Sequence, residues 1–393
     1  MGSEALLIVV IVTALAFDFT NGFHDTANAM ATSIASGALK PRTAVLISAL
    51  LNFAGAFISI AVATTIAKDI VSSDTVTLEI LFAALLGAIL WNLVTWALGL
   101  PSSSSHAIIG GLIGATWIAQ GSSAVDFEGV LSQVLIPAII APILAGGLAL
   151  LATFWAYRLR QRTNEKRTDD GYRWGQIGSA SLVSLAHGTN DAQKTMGVIT
   201  LALIAHGSLD ADNFSVPIWV KLAAATSIAL GTYIGGWRII RTLGHRLTGD
   251  IESPQGFSAE SSTAATILAS SYYGFPLSTT QVVSGAVVGS GIGKRLANVR
   301  WGVAGQIATA WLFTLPMAAG AAALVWGASD LLGGSTGSIV VAIAGAVLAG
   351  LIYWSVQRRD PITADNVNEV PGASAISPHR EQGHEPTPTG ATA

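Results

Sequence analysis

Long apolar runs with few charges recur along this chain. Three of them, Ile80 to Leu100, Leu131 to Tyr157 and Ile339 to Val356, have roughly the 20 residues that a helix needs to cross the ~30 Å hydrocarbon layer of a bilayer. The first apolar stretch, Ala5 to Phe17, has no basic leader and continues into a polar motif. We therefore interpret it as the first transmembrane helix and not as a cleaved signal peptide. The pattern predicts several membrane-spanning helices.

The composition agrees with a membrane protein. Hydrophobic residues make up 51% and charged residues 11% of the 393 positions, whereas soluble domains carry roughly 25% charged residues. Cysteine is absent, so a disulfide framework and a thiolate metal site are excluded. The formal net charge of −3 is too small to indicate a nucleic-acid partner. The sequence therefore favours an all-α polytopic protein surrounded by a lipid bilayer.

Basic residues are concentrated in short segments that predict the cytoplasmic loops. Sixteen of the 20 Lys and Arg residues fall in five clusters: Lys40/Arg42, Arg158 to Arg173, Arg238 to Arg246, Lys294 to Arg300 and Arg358/Arg359. If the apolar segments cross alternately, these clusters predict an outside N-terminus, an inside C-terminus and about 10–12 transmembrane segments. The short, glycine-containing segments Ala107 to Gln120 and Val282 to Gly293 are candidates for half-helices or re-entrant hairpins.

Two polar motifs occur twice in the same order. Asn21 to Met30 aligns position by position with His187 to Met196, and Pro101 to His106 aligns in the same way with Pro276 to Gln281. The charge pattern gives the first half five crossings, an odd number, so the second half is predicted to enter the membrane from the opposite side. Two inverted-topology repeats with broken or re-entrant half-helices are typical of secondary transporters.

The repeat and the charge pattern together divide the chain into four segments. They are the first inverted repeat (1–158), a cytoplasmic basic loop (159–174), the second inverted repeat with additional C-terminal helices (175–357) and a cytoplasmic tail (358–393). The tail after Asp360 is rich in Pro, Gly, Ser, Thr and charged residues and has no apolar period, so it is predicted to be disordered.

The first motif places an aspartate, Asp25 or Asp191, inside apolar sequence in each repeat. A charge near the bilayer centre costs at least ~2.5 to 3.5 kcal/mol, so a bound cation is the expected compensation. Asn28 and Asn190 add oxygen ligands of the kind that Na⁺ or a divalent ion prefers, and protonation of the aspartates would serve a proton-coupled protein equally well. We predict that these four residues bind a cation or couple to protons, with the two aspartates as candidate metal ligands. The structural alternative is a neutral carboxylate or pairing with Lys194.

The second motif places three hydroxyl residues after a proline and before a glycine-spaced apolar helix, which is typical of a helix N-terminus. Free backbone N–H groups and hydroxyls at two such ends would bind an oxyanion such as phosphate without much formal positive charge. Ordinary N-capping is the alternative. The predicted phosphate-binding residues are Ser103, Ser104, Ser105, Ser278, Thr279 and Thr280.

Five further residues are possible contributors. His106 and Gln281 share one repeat position and could bind the anion or orient a hydroxyl, and a packing role is the alternative. Glu260 precedes the second hydroxyl motif, and we predict that it joins the two aspartates and two asparagines in binding a cation or coupling to protons. His24 could bind a proton or a metal–phosphate complex. Lys194 could balance Asp191 or attract the anion, and we favour the balancing role.

These motifs resemble those of the PiT family of inorganic phosphate transporters over about residues 10 to 357. Gly22 to Asn28 and His187 to Asp191 are similar to its two signatures, and Pro101 to His106 and Pro276 to Gln281 to its paired hydroxyl motifs. Gly256 to Glu260 resembles a segment that carries a functional glutamate in relatives. The resemblance implies two inverted repeats, a homodimer, phosphate between the hydroxyl motifs and cations at the two aspartates.

Two features resemble the bacterial branch of that family. His24-Asp25 stands where many members have Asn-Asp, and Gln193-Lys194 stands where others have a small residue and Asn. Members of that branch are often proton-coupled and carry metal–phosphate complexes, so the cation is H⁺ or Na⁺, with a divalent metal as a possible companion of the phosphate. The resemblance implies a multi-pass protein of the cell inner (plasma) membrane that needs no cofactor other than the co-transported cation.

Three other functions compete with phosphate symport. Transport of another tetrahedral oxyanion such as sulfate is the nearest alternative, because hydroxyl-lined helix ends discriminate weakly. An intramembrane hydrolase built from Ser105, His106 and Asp25 is disfavoured, because the serines lack a nucleophile-elbow context and the second repeat has Gln281 in place of the histidine. A passive channel or a receptor is disfavoured by the inverted repeat.

Overall fold

The computed structural model describes residues 2–68, 76–163, 165–210, 214–295 and 298–369. In these residues the chain forms thirteen α-helices and no β-sheet beyond an isolated antiparallel bridge between Thr248 and Val299. The helices are α1 (Gly2–Ala35), α2 (Pro41–Gly55), α3 (Ala61–Lys68), α4 (Leu78–Ala97), α5 (Ser104–Gln120), α6 (Phe127–Arg160), α7 (Glu165–Ala205), α8 (Ile218–Ile234), α9 (Trp237–Arg246), α10 (Ser253–Tyr272), α11 (Thr279–Lys294), α12 (Trp301–Leu331) and α13 (Ser335–Arg359).

The helices confirm the prediction of an all-α polytopic membrane protein. Five of those described, α1, α4, α6, α12 and α13, are long and apolar enough to cross a membrane. Helices α8 and α9 pass the same test together, bent by 59° at their break, so they add a sixth span if they form one broken helix. The faces of α6 and α13 are rich in exposed leucine, isoleucine and tryptophan, as expected for contact with lipid.

Helices α5 and α11 contain the two segments that the sequence marks as half-helix candidates. With 17 and 16 residues, they are shorter than the ~20 residues needed to cross the hydrocarbon layer. Their first residues, Ser104 and Thr279, are each only 1% exposed. Both helices therefore begin inside the protein, and each presents its N-terminal N–H groups to the interior.

Helices from the two halves of the chain pack closely against each other at glycine residues. A Cβ atom on Gly114 of α5 would lie 2.1 Å from the carbonyl oxygen of Ala319 in α12, and one on Gly289 of α11 would lie 2.0 Å from that of Gly146 in α6. Gly114 and Gly289 occupy the same repeat position. Each half-helix therefore packs, backbone against backbone, on the long helix that follows its counterpart in the other half.

Helices α1 and α7, which carry the first motif of each half, contact each other along a line that we call the α1–α7 seam. Ser36 Oγ donates to Gln176 Oε1 at 2.8 Å, and Asn21 Nδ2 donates to Asp191 Oδ2 at 3.3 Å. Asn21 precedes Ser36 by the same number of positions as Asp191 follows Gln176. The two helices are antiparallel along the seam.

The beginning of the C-terminal tail is folded. Val367 is fully buried, and its carbonyl oxygen accepts a hydrogen bond from Arg241 Nε at 3.3 Å. Arg42 forms an ion pair with Asp365 at 3.0 Å. The prediction of disorder after Asp360 is therefore wrong for residues 361–369, because the burial of Val367 and the contacts with Arg42 and Arg241 hold them. Residues 370–393, to which the same prediction applied, lie outside the described residues.

Candidate functional site

The aspartates of the two first motifs meet in the middle of the α1–α7 seam. His187 Nε2 lies 3.2 Å from Asp191 Oδ2 and 3.9 Å from Asp25 Oδ2, and Asn21 Nδ2 reaches Asp191 from the opposite helix. Asn21 and His187 occupy the same repeat position, as do Asp25 and Asp191. The contacts Asn21–Asp191 and His187–Asp25 are therefore equivalent across the repeat, and the duplication itself brings the two carboxylates together.

Asp25, His187 and Asp191 form a group that could hold a cation. All three side chains are buried, and one ligand atom of each lies within 4.8 Å of the others. Carboxylate oxygens and an imidazole nitrogen suit a metal ion, and the same groups can also bind protons. The structure brings the predicted metal ligands Asp25 and Asp191 together and adds His187 to them.

The positive side chains are distributed unequally between the two aspartates. Lys194 donates hydrogen bonds to Asp191 Oδ1 and to the carbonyl oxygen of Leu277, the latter at 3.1 Å. Asp25 has no Lys or Arg in ion-pair contact in the described part of the chain, and its neighbour is His24, whose Nδ1 lies 2.7 Å from Asp25 Oδ1. The balancing role predicted for Lys194 therefore applies to Asp191, while the ion-pair contacts of Asp25 are made by histidines.

His24 is held by the first hydroxyl motif. Its Nε2 atom lies 3.3 Å from Ser102 Oγ and 3.4 Å from Thr95 Oγ1. The two hydroxyls also contact each other at 2.7 Å. The ring of His24 is therefore held between the end of α4 and the loop that leads into α5.

The second motifs start α5 and α11 beside the aspartates. Ser103 and Ser278 are the N-cap residues: their hydroxyls accept from the backbone N–H groups of His106 at 3.0 Å and Gln281 at 3.3 Å. Ser105 Oγ instead donates to the carbonyl oxygen of Leu277 at 3.0 Å and so ties the two motifs together. Ordinary N-capping, the alternative to anion binding, therefore accounts for Ser103 and Ser278, one hydroxyl in each motif.

The remaining three hydroxyls of the second motifs face the aspartates. Ser104 Oγ donates to Asp25 Oδ2 at 2.7 Å. Thr279 Oγ1 lies 3.4 Å from both Asp25 Oδ2 and Asp191 Oδ2, and Thr280 Oγ1 lies 3.3 Å from Asp25 Oδ1. The predicted anion-binding and cation-binding residues therefore form one continuous buried cluster, which we call the central cluster.

The two predicted asparagines take different positions. Asn28 Nδ2 donates to Thr280 Oγ1 at 3.0 Å and to Thr279 Oγ1 at 3.2 Å, so Asn28 belongs to the central cluster. Asn190 Nδ2 donates to Ser271 Oγ at 3.0 Å, at the end of α10. The side-chain oxygens of both asparagines are buried without a hydrogen-bond partner among the described residues, which leaves them available to a cation.

The repeat partners His106 and Gln281 face each other, with Nδ1 and Nε2 3.5 Å apart. Because each follows the N-cap of its helix by three residues, this contact places the starts of α5 and α11 close together. The side-chain oxygen of Gln281 has no hydrogen-bond partner in the described part of the chain. Two helix N-termini with their partial positive charges thus converge on the central cluster.

Glu260 lies apart from the central cluster, farther along the α1–α7 seam. It is 3% exposed and accepts hydrogen bonds from four side chains of α1 and α7. These are Thr32 (2.6 Å), Ser33 (2.7 Å), Ser179 (2.6 Å) and Gln176 (3.2 Å). Glu260 therefore forms a separate polar station between the two motif-bearing helices, with its carboxyl group hydrogen-bonded to both of them.

Sequence reasoning missed His187, the repeat partner of Asn21, as a candidate site residue. The alignment places these two at one repeat position, and that equivalence was the available signal. It also missed Asn52, whose Oδ1 lies 3.0 Å from His187 Nδ1 and orients the ring toward the aspartates. Asn52 lies in α2 outside both motifs, so nothing in the repeat pattern indicated it.

Comparison with known proteins gives consistent matches. A model of the phosphate transporter family matches residues 21–322. A probable low-affinity inorganic phosphate transporter of Mycobacterium bovis is 56% identical over 363 residues, which cover 92% of this chain and 87% of that protein. Proteins with the same description from Mycobacterium leprae (54% over 387 residues, covering 96% and 93%) and Bacillus subtilis (44% over 325 residues, covering 82% and 96%) are also similar.

One solved structure has the same fold. It is described as the sodium-dependent phosphate transporter and matches with a TM-score of 0.74 at 25% sequence identity. The match covers 83% of this chain and 99% of that chain. The overall helical arrangement of this chain is therefore shared with a transporter of known structure.

Proposed function

Because this chain belongs to the phosphate transporter family, we propose that it is a secondary active transporter that moves inorganic phosphate in symport with a cation. The family and the similar proteins are transporters and not enzymes. The observation that carries the proposal is the central cluster, in which the hydroxyls at the starts of α5 and α11 donate to the carboxylates of Asp25 and Asp191.

Phosphate binds, in this proposal, between the starts of α5 and α11. The backbone N–H groups of the first helical turns and the hydroxyls of Ser104, Ser105, Thr279 and Thr280 are the donors, while Ser103 and Ser278 keep the helix ends ordered as caps. Backbone N–H groups at helix N-termini stabilise oxyanions. His106 and Gln281 line the same space from the two sides.

Coupling between phosphate and cation follows from the small number of donors. Ser104, Thr279 and Thr280 each have a single hydroxyl hydrogen, which in the described state lies near a carboxylate. Bound phosphate needs the same hydrogens, and the aspartates can release them only when a cation compensates their charge. Each ligand therefore favours binding of the other, as linkage requires.

The cation in this proposal is bound by Asp25, Asp191 and the free oxygens of Asn28 and Asn190, with His187 and His24 as further ligands or proton carriers. The solved structure that shares the fold is described as sodium-dependent, which supports Na⁺. The histidines beside Asp25 and the Lys194–Asp191 contact support proton coupling, alone or with a metal–phosphate complex.

Alternating access is proposed to use two inverted repeats, residues 1–158 and 175–357, with the basic loop 159–174 between them. Two observations support this: the equivalent helices α1 and α7 are antiparallel along the seam, and equivalent glycines of α5 and α11 pack on each other's following helix. An empty carrier should resist the switch, because Lys194 pairs with Asp191 only and the uncompensated charge of an ionised Asp25 is costly in the membrane.

The cellular setting is part of the proposal. We place the protein in the inner (plasma) membrane as a multi-pass homodimer, with its basic loops and tail on the cytoplasmic side. The exposed apolar faces of α6 and α13 suit both lipid and a second copy. Crosslinking in native membranes through cysteines introduced on these faces tests the dimer, since the chain has no cysteine of its own.

Uptake of radiolabelled phosphate into proteoliposomes tests the function. A Na⁺ gradient and a proton gradient are imposed separately, each with and without a divalent metal. We expect phosphate to accumulate against its own gradient under one of the two, with inhibition by arsenate and not by sulfate. Inhibition by sulfate would favour the alternative of a broader oxyanion transporter, and phosphate movement without accumulation would favour a channel.

A further inference from the structure

One buried carboxylate is used by neither the central cluster nor the Glu260 station. Asp18, in α1, is fully buried, and neither of its oxygens has a hydrogen-bond partner among the described residues. The hydroxyl of Thr195, in α7, lies beside it and, within the described ranges, likewise has no partner at hydrogen-bond geometry. A bare carboxylate in a low-dielectric interior costs several kcal/mol, so Asp18 needs either a bound proton or another cation.

The positive side chains near Asp18 are engaged elsewhere. Lys194 and His187 are close enough to act on it electrostatically, and Asp191 opposes them. Lys194, however, donates to Asp191 and to the Leu277 carbonyl, and His187 faces the two aspartates of the central cluster. The charge of Asp18 therefore needs a partner that the described part of the chain does not supply.

Asp18 lies on the α1–α7 seam, on the opposite side of the central cluster from Glu260. It precedes Asp25 by seven positions, about 10 Å along a helix axis. The equivalent position of the second repeat is occupied by Ser184, whose hydroxyl bonds to Ser48 Oγ and to the carbonyl oxygen of Ala180. The first repeat thus has a carboxylate at a position where the second repeat has a serine.

We propose that Asp18 and Thr195 form a second cation station, which holds a monovalent cation, H⁺ or Na⁺, on the outer side of the central cluster. Asp18 carries a single negative charge, which one monovalent cation compensates and which a divalent ion would leave with an excess positive charge in the membrane interior. The α1 N-terminus is outside by the charge pattern, so a cation entering along the seam meets Asp18 before Asp25. This inference rests on the proposed cation-coupled transport.

The station implies that more than one cation moves with each phosphate. Asp18→Asn keeps the shape of the side chain but cannot carry a compensating cation. In proteoliposomes with a tenfold Na⁺ or proton gradient, loss of one coupled cation is expected to lower the equilibrium phosphate accumulation ratio about tenfold. The gradient under which the ratio falls identifies the ion. Ser184→Ala, at the equivalent position of the other repeat, is the matched control and should leave the ratio unchanged.

A second variant covers the case in which Asp18→Asn does not fold. Thr195→Val removes only the hydroxyl and should raise the cation concentration for half-maximal phosphate uptake at least threefold. If both variants retain the wild-type accumulation ratio and the wild-type cation dependence, the second station does not exist. If the wild-type protein itself shows no cation-driven phosphate uptake, the proposed function fails first, so the two failures are distinguishable.

Discussion

Replacing Asp25 with asparagine is expected to abolish concentrative phosphate uptake, with a loss of at least about 100-fold. The amide oxygen of the Asp25→Asn side chain would still accept a hydrogen bond from Ser104, so the local shape should persist. The neutral side chain, however, no longer needs a cation when phosphate takes the hydroxyl hydrogens away, and coupling is lost. A change of 100-fold corresponds to about 2.8 kcal/mol, in the range expected for losing a buried charge-assisted interaction.

The measurement is initial-rate and end-point uptake of radiolabelled phosphate in proteoliposomes under the gradient that drives the wild-type protein. Asp126→Asn is the matched control, because Asp126 is exposed and caps a helix, a role that asparagine performs equally well. Accumulation of phosphate against its gradient by the Asp25 variant would contradict the assignment of Asp25 to the cation.

Loss of the hydroxyls that face the aspartates is expected to weaken phosphate binding. Ser104→Ala and Thr279→Val each remove one donor while keeping most of the side-chain volume. A hydrogen bond to a charged group is worth about 1.5–3 kcal/mol, so each variant should raise the phosphate dissociation constant roughly 10- to 100-fold. Binding of labelled phosphate to the purified protein at saturating cation measures this directly.

Two further variants separate a loss of binding from a loss of folding. Ser132→Ala, in the exposed part of α6, should bind phosphate like the wild type. Ser103→Ala removes the N-cap of α5 and should lower the free energy of unfolding by about 1 kcal/mol. Equal affinity in the Ser104 and Thr279 variants and in the wild type would exclude these hydroxyls from the phosphate site.

The sequence predicted most of the residues of the central cluster, because both polar motifs are duplicated inside apolar sequence. Asp25 and Asp191 occupy the same repeat position, and in the structure both lie beside His187. The glycine spacing and the polar residues at their starts likewise predicted that α5 and α11 are short helices. Both features follow from the spacing of residues along the chain, which can be seen in the sequence alone.

The sequence could not predict which hydroxyls of each motif cap the helix and which face the aspartates. Successive residues of a helix point about 100° apart, so the position of the N-cap decides which hydroxyl faces the aspartates. The caps fall on Ser103 and Ser278, which turns Ser104 and Thr279 inward. No pattern in three consecutive hydroxyl residues indicates where the cap falls.

Two other features depend on contacts between distant segments. Asn52 orients His187 from α2, across a helix pair whose close approach is set by Gly188, where an added Cβ would lie 2.2 Å from the Asn52 carbonyl oxygen. The folded residues 361–369 depend on Val367 and Arg241. Composition predicted disorder there, because it averages over a window in which a single buried residue has little weight.

The central claim is that phosphate and cation share the hydroxyl donors of one buried cluster. The most direct test is the phosphate dissociation constant of the purified wild-type protein, measured across a series of Na⁺ concentrations and, separately, of pH values. We predict that phosphate binds at least about tenfold more tightly at saturating concentration of the coupling cation than in its absence. A phosphate affinity independent of both Na⁺ and pH would contradict the shared-donor mechanism.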